Sequence, residues 1–192
     1  MPAAPAQRLL LACLTGFAVA APAADIVVEV RRSGETLHVT ARADIHGSID
    51  RAWQVLTDYD RLAEIVPDLK VSRVISRDGN QVQLEQKGEA RLLFFSFPLD
   101  VRLAITEHPR ERIVSRSVSG NFRDMRGAYM LEGREGRVLL RYTGSMVPDF
   151  FVPPLIGTLV LRHSVETTFQ ALVNEIERSQ AESAPSESNR ER

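Results

Sequence analysis

A single cysteine, Cys13, stands in 192 residues. That excludes a disulfide framework within the chain and a thiolate metal site. Histidine is almost as scarce. His38, His46, His108 and His163 stand apart, none beside another His, Cys or carboxylate at ligand spacing, so no metal centre is expected. There is no Gly-x-Gly-x-x-Gly fingerprint and no phosphate loop. Without a Gly-x-Ser-x-Gly elbow, the serines lying among arginines near residues 112–116 offer no nucleophile. A surplus of one charge is missing too. The 24 basic and 25 acidic residues are interspersed without a basic block, which argues against nucleic acid as a partner. The longest apolar run, residues 9–21, is too short to span a bilayer.

What is present begins with that run. One charge, Arg8, precedes it and small residues follow, the pattern of a secretory signal peptide over residues 1–24. Cleavage is expected after Ala20, Ala23 or Ala24, placing the mature chain in the periplasm or outside the cell. The other end, residues 179–192, is Ser, Glu, Arg and Asn with no large apolar side chain, and is expected to be disordered. Residues 25–178 remain, a length that suits one domain.

Within them the period of two dominates. Ile26, Val28 and Val30 alternate with polar residues up to a turn at Ser33-Gly34. Leu37, Val39, Ala41, Ala43 and Ile45 then share one face of a strand. Two short helices follow. Ser48 or Asp50 caps the first, which carries Ile49, Trp53 and Leu56; Asp58 caps the second, and Pro67 stops it. The acidic stretch Thr57-Asp58-Tyr59-Asp60 reads as capping and turn chemistry rather than as an acid–base pair. Strands are predicted over 71–76, 81–87, 92–97, 99–107, 112–119, 122–132 and 137–145, with a hairpin at Asp78-Gly79.

The chain closes with a long helix over 153–178. On a wheel of 100° per residue, Leu155, Leu159, Leu161, Val165, Phe169, Leu172, Val173 and Ile176 share one face. Ile156, Val160 and His163 make a second stripe in its first half. This order of elements is not the alternation of a Rossmann fold or a TIM barrel. It predicts an α+β protein, an antiparallel sheet wrapped around one helix.

Large side chains concentrate late in the chain. Phe94, Phe95, Phe97, Phe122, Tyr129, Met130, Tyr142, Met146, Phe150 and Phe151 fall in the later strands and the approach to the helix. Leu92-Leu93-Phe94-Phe95 is continuous rather than alternating, and Phe150-Phe151-Val152-Pro153-Pro154-Leu155-Ile156 is too apolar for an exposed loop. Two such loops suit the entrance of an oily cavity, with Phe150, Phe151, Leu155 and Ile156 expected to gate it or to pack on residues 92–95.

One family has elements in this order. Ala52-Trp53-Gln54-Val55-Leu56-Thr57-Asp58-Tyr59-Asp60-Arg61-Leu62 with Val66-Pro67-Asp68-Leu69 resembles the first helices and strand entry of the START-like superfamily (polyketide cyclase and coenzyme Q-binding, helix-grip). Gly120-Asn121-Phe122-Arg123, Gly127-Ala128-Tyr129-Met130-Leu131 and Val147-Pro148-Asp149 extend the resemblance across residues 36–178. It implies a seven-stranded, strongly bent antiparallel sheet around the C-terminal helix, enclosing a hydrophobic cavity. Trp53, Tyr59, Leu62, Phe94, Phe97, Phe122, Met130, Tyr142, Met146, Phe151, Leu155, Leu159 and His163 are the expected cavity residues. The implied partner is a hydrophobic small molecule or lipid, a quinone or other isoprenoid included, with transient membrane contact and no cofactor. The alternative is an enzyme of the cyclase or dehydratase kind. That would need polar groups converging in the cavity, and Arg102, Arg123, Tyr142 and His163 are the candidates.

Overall fold

Alternating side chains build one sheet. A computed structural model of the chain describes residues 25–183; the predicted signal peptide and residues 184–192 lie outside them. The strands are β1 (Ile26–Ser33), β2 (Thr36–His46), β3 (Leu69–Asp78), β4 (Gln81–Leu92), β5 (Phe95–His108), β6 (Arg112–Gly120), β7 (Phe122–Arg134) and β8 (Arg137–Pro148). Their order across the sheet is β1-β2-β8-β7-β6-β5-β4-β3, and every pairing is antiparallel. The sheet has eight strands where seven are expected. The residues ahead of the Ser33-Gly34 turn form a full strand, registered from Ile26 on Ala43 to Ser33 on Thr36.

The two strands predicted over 92–97 and 99–107 are a single one. β4 runs on to Leu92, Leu93 and Phe94 make the turn, and β5 starts at Phe95. Pro98 does not interrupt β5, because β6 joins only from Val101 onward and the strand is an edge on that side. In place of a ladder bond there, Asn121 Nδ2 donates to the Pro98 carbonyl at 2.8 Å.

Between β2 and β3 the chain crosses from one side of the sheet to the far edge. It does so through α1 (Ile49–Thr57), a 3-10 turn (Tyr59–Arg61) and α2 (Leu62–Ile65). Ser48 caps α1, its hydroxyl accepting from the Arg51 N–H. Arg77 lies over the Tyr59 ring, 5.7 Å from its centroid, and donates to Glu107 at 3.0 Å, so the turn is held to β3 and β5.

α3 (Pro154–Ser183) lies against the concave face. Phe169, Leu172, Val173 and Ile176 are buried among Ala43, Ile45, Leu84, Val101, Val138 and Leu140. Here the predicted apolar face holds. In the first half it holds only in part: Leu161 and Val165 are half-buried against the cavity, but Leu155 and Leu159 face outward, as does His163 of the second stripe, while Gly157 and Val160 are buried and Ser164 half-buried. A hydrophobicity wheel gives no weight to small residues, and Gly157 and Ser164 belong to the inner face. Gly157 sits where an added Cβ would meet Val152 Cγ1 at 2.1 Å, so its bare backbone is what lets the helix start close to the preceding loop. The helix also continues past Arg178, where Arg178 bridges Glu175 at 2.7 Å and pairs with Glu182.

Candidate ligand-binding cavity

The curved sheet and the start of α3 do not close on each other. Between them lies a cavity of about 270 Å³. Its floor is the concave sheet face, with Leu84, Gln86, Leu103, Ile105, Ile113, Ser115, Met125, Tyr129, Tyr142 and Met146. α3 roofs it with Val160, Leu161, Ser164, Val165, Thr168, Phe169 and Leu172. Leu56, Tyr59, Leu62 and Val66 supply one side; Glu89, Ala90, Phe97 and Pro98 come from the β4–β5 hairpin, Phe122 from the start of β7, and Phe150 and Val152 from the approach to α3. Phe150 ties these last two regions together: its ring lies 6.1 Å from Phe97 and 6.0 Å from Phe122, edge-on to the latter.

Of the expected cavity residues, the structure brings Tyr59, Leu62, Phe97, Phe122, Tyr142 and Met146 into this wall. It places seven others elsewhere. Trp53 packs against the main core from α1. Met130 is 42 % exposed on the convex face, because its neighbour Tyr129 points inward and adjacent strand residues face opposite ways. Phe94, at 84 % exposed, sits on the hairpin tip. Phe151, Leu155, Leu159 and His163 face solvent at the entry to α3. Of the expected gate, Phe150 closes the wall with Val152 beside it, while Phe151 and Leu155 face solvent and Ile156 does not line the cavity.

The polar candidates separate in the same way. Only Tyr142 lines the cavity. Arg102 pairs with Glu85 at 4.0 Å, Arg123 pairs with Glu35 at 3.0 Å, and His163 is exposed. The polar side chains in the wall that sequence reasoning missed are Gln86, Ser115, Ser164, Thr168, Asp68 and Glu89. Ser164 donates to Asp68, and Ser115 donates to the Gly127 carbonyl at 3.3 Å. Glu89 takes hydrogen bonds from Ser96, Arg91 and Lys70, which hold its carboxyl down at about 2. Burial pushes the Tyr142 hydroxyl up to about 12, and burial together with the neighbouring Tyr142 raises Tyr129 as well. Both rings carry neutral hydroxyls at any ordinary pH. Among the described residues no group of three or more His, Cys, Asp or Glu is placed to hold a metal, and no helix is long and apolar enough to cross a membrane.

Solved structures share this architecture. A STAR-related lipid transfer protein fragment from Xanthomonas axonopodis superposes with a TM-score of 0.64 at 14 % identity, over 82 % of this chain and 95 % of its own. The Zhui aromatase/cyclase from Streptomyces sp. R1128 gives 0.63 at 15 % identity, over 79 % and 97 %. A protein from Thermus thermophilus gives 0.62 at 14 %, over 74 % and 98 %. Identities this low make these likenesses of fold. Compared with curated proteins, the sequence finds no match. The family described as polyketide cyclase / dehydrase and lipid transport matches residues 45–173, which run from the end of β2 through the buried half of α3 and so include nearly all of the cavity wall. The chain belongs to that family, as a START-like ligand-binding domain.

Proposed function

We propose that the protein is an exported binder of a lipid-like or polycyclic apolar molecule, carried in the space between sheet and α3. The observation that supports this best is the wall itself. It is built mainly of Leu, Ile, Val, Phe, Met and Tyr side chains, and no Lys, Arg or His is among them. The predicted signal peptide supports export. An enzyme would need an acid or base converging on the ligand with Tyr142; Arg102, Arg123 and His163 do not line the cavity, and the two carboxylates that do, Asp68 and Glu89, are engaged by Ser164 and by Ser96, Arg91 and Lys70. Native mass spectrometry of protein purified from its own periplasm, followed by organic extraction, tests the reading. An apolar compound travelling with the protein is expected. A chain that arrives empty and retains no apolar probe would overturn it.

The same end of the molecule carries a surface suited to a bilayer. Leu93, Phe94, Phe151, Leu155 and Leu159 are exposed, on a hairpin tip and a helix entry joined through Phe97 and Phe150. Leu93 adopts φ 55°, a left-handed conformation that is uncommon for a branched residue and is tolerated where function needs the turn. A ligand leaving between these side chains would pass into lipid without crossing water. Phe94→Ser and Leu155→Ser are expected to weaken flotation with phosphatidylcholine vesicles. The urea midpoint should stay put, because both side chains are already in solvent. Undiminished flotation of the double variant would remove this surface from the mechanism.

A further inference from the structure

We infer that the cavity selects neutral apolar molecules bearing an oxygen, which Tyr129 and Tyr142 hold, and that it rejects their carboxylate counterparts. The inference rests on the reading above that this cavity is the binding site.

Tyr129 on β7 and Tyr142 on β8 are register partners, and their rings meet at 4.7 Å with planes tilted by 44°. Tyr129 also stacks against Phe169 of α3, centroid to centroid 6.2 Å. Both side chains are half-buried, and both line the cavity. No protein group among the described residues hydrogen-bonds either hydroxyl. Two donors in the cavity wall without a protein partner are free to give a hydrogen bond to an oxygen that enters, in exchange for water.

The position of Tyr142 is itself built. A Cβ on Gly144 would fall 2.5 Å from Tyr142 Oη, and one on Gly127 would fall 2.7 Å from it. These glycines are register partners on β8 and β7. Glycine weakens a strand interior, so a pair of them side by side in the middle of the sheet marks a close approach. Here it makes the seat in which the phenol oxygen lies.

Charge decides which oxygen is accepted. The only ionisable carboxylates in the wall are Asp68 and Glu89, and no cation lines it. Lys70 and Arg91, which pair with Glu89, are mostly in solvent. A carboxylate brought inside would lose its hydration and gain no counter-charge. A ketone, ether or alcohol loses little and gains a hydrogen bond from a hydroxyl that burial keeps protonated.

Three pyrenes of nearly one shape separate these effects: pyrene, 1-acetylpyrene and 1-pyrenecarboxylate, titrated by fluorescence into the full chain at neutral pH. 1-Acetylpyrene is expected to bind about 100-fold or more tightly than the carboxylate. Tyr142→Phe and Tyr129→Phe should each lower its affinity relative to that of pyrene by roughly 3- to 10-fold. If none of the three binds, the binding-site reading falls and takes the inference with it. If pyrene binds but the carboxylate binds as well as the ketone, the inference alone is overturned. The same holds if both Phe variants keep the full preference of acetylpyrene over pyrene. The ketone-to-carboxylate ratio is read on the unaltered protein, so it does not depend on either variant folding.

Discussion

Gly120→Ala is expected to lose on the order of 3–5 kcal/mol of stability, more than its small change in volume suggests. Two costs add. Gly120 ends β6 with φ 127°, a backbone conformation that a side chain resists. A Cβ there would also stand 2.1 Å from the Asp100 carbonyl oxygen and 2.8 Å from Val101 Cα, and neither atom belongs to a movable side chain. The neighbourhood is pinned as well. Asn121 N–H donates to that same Asp100 carbonyl at 2.9 Å, and the Asn121 side chain accepts from Asp100 N–H at 3.0 Å. Moving aside therefore breaks bonds at the corner that delivers Phe122 to the cavity. Gly79→Ala is the control. It has φ 52° but nothing within 4 Å, so it should show the conformational cost alone, about 1 kcal/mol. Urea midpoints of the two variants decide the matter. Equal, small losses would mean that β5 and β6 part easily at this corner.

Phe169→Ala should cost roughly 3–5 kcal/mol, with a second effect that an ordinary core truncation lacks. Phe169 is 1 % exposed and makes the middle of the α3 face, stacked on Tyr129. It is also part of the cavity roof. Truncation thus leaves no sealed void; it enlarges a space that already exists. Chemical denaturation should report the loss, and release of acetylpyrene should quicken because the stack that steadies Tyr129 is gone. A stability change below about 1 kcal/mol would show that α3 re-seats on the sheet without this ring.

The architecture was readable because strands leave a period of two and α3 leaves an apolar stripe. Leu37, Val39, Ala41, Ala43 and Ile45 are all buried as their alternation implies. What the pattern could not carry is parity inside crowded segments. Tyr129 and Met130 are equally large, and only register says which faces in. Pairing Tyr129 with Tyr142 and Gly127 with Gly144 fixes it, and pairing is a property of two strands, not one. Helix α3 failed at its start for a different reason. Its inner face there mixes Gly157, Ser164 and Thr168 with Val160, Leu161 and Val165 beside a cavity, and Leu155 and Leu159 are spent outside. The polar wall residues were invisible for the same cause: Gln86, Ser115 and Thr168 look like the solvent side of a strand or helix until the sheet curls over them.

The position of β2 also fixes the order in which the fold can be completed. Its second neighbour is β8, so Leu37 must find Met146 and Ile45 must find Val138 across most of the chain. The strands β3 to β8 form a meander of neighbours, each able to pair as soon as the next has emerged. The β1–β2 hairpin cannot join that meander until its last strand exists, and α3 follows later still. Without β8, β2 presents an unpaired backbone edge and the apolar face of Leu37, Val39 and Ile45, the kind of edge that recruits other chains. Closing β2 against β8 removes that edge, and the pairing of Leu37 with Met146 that does so also completes the cavity wall, so the container depends on one of the fold's long-range contacts.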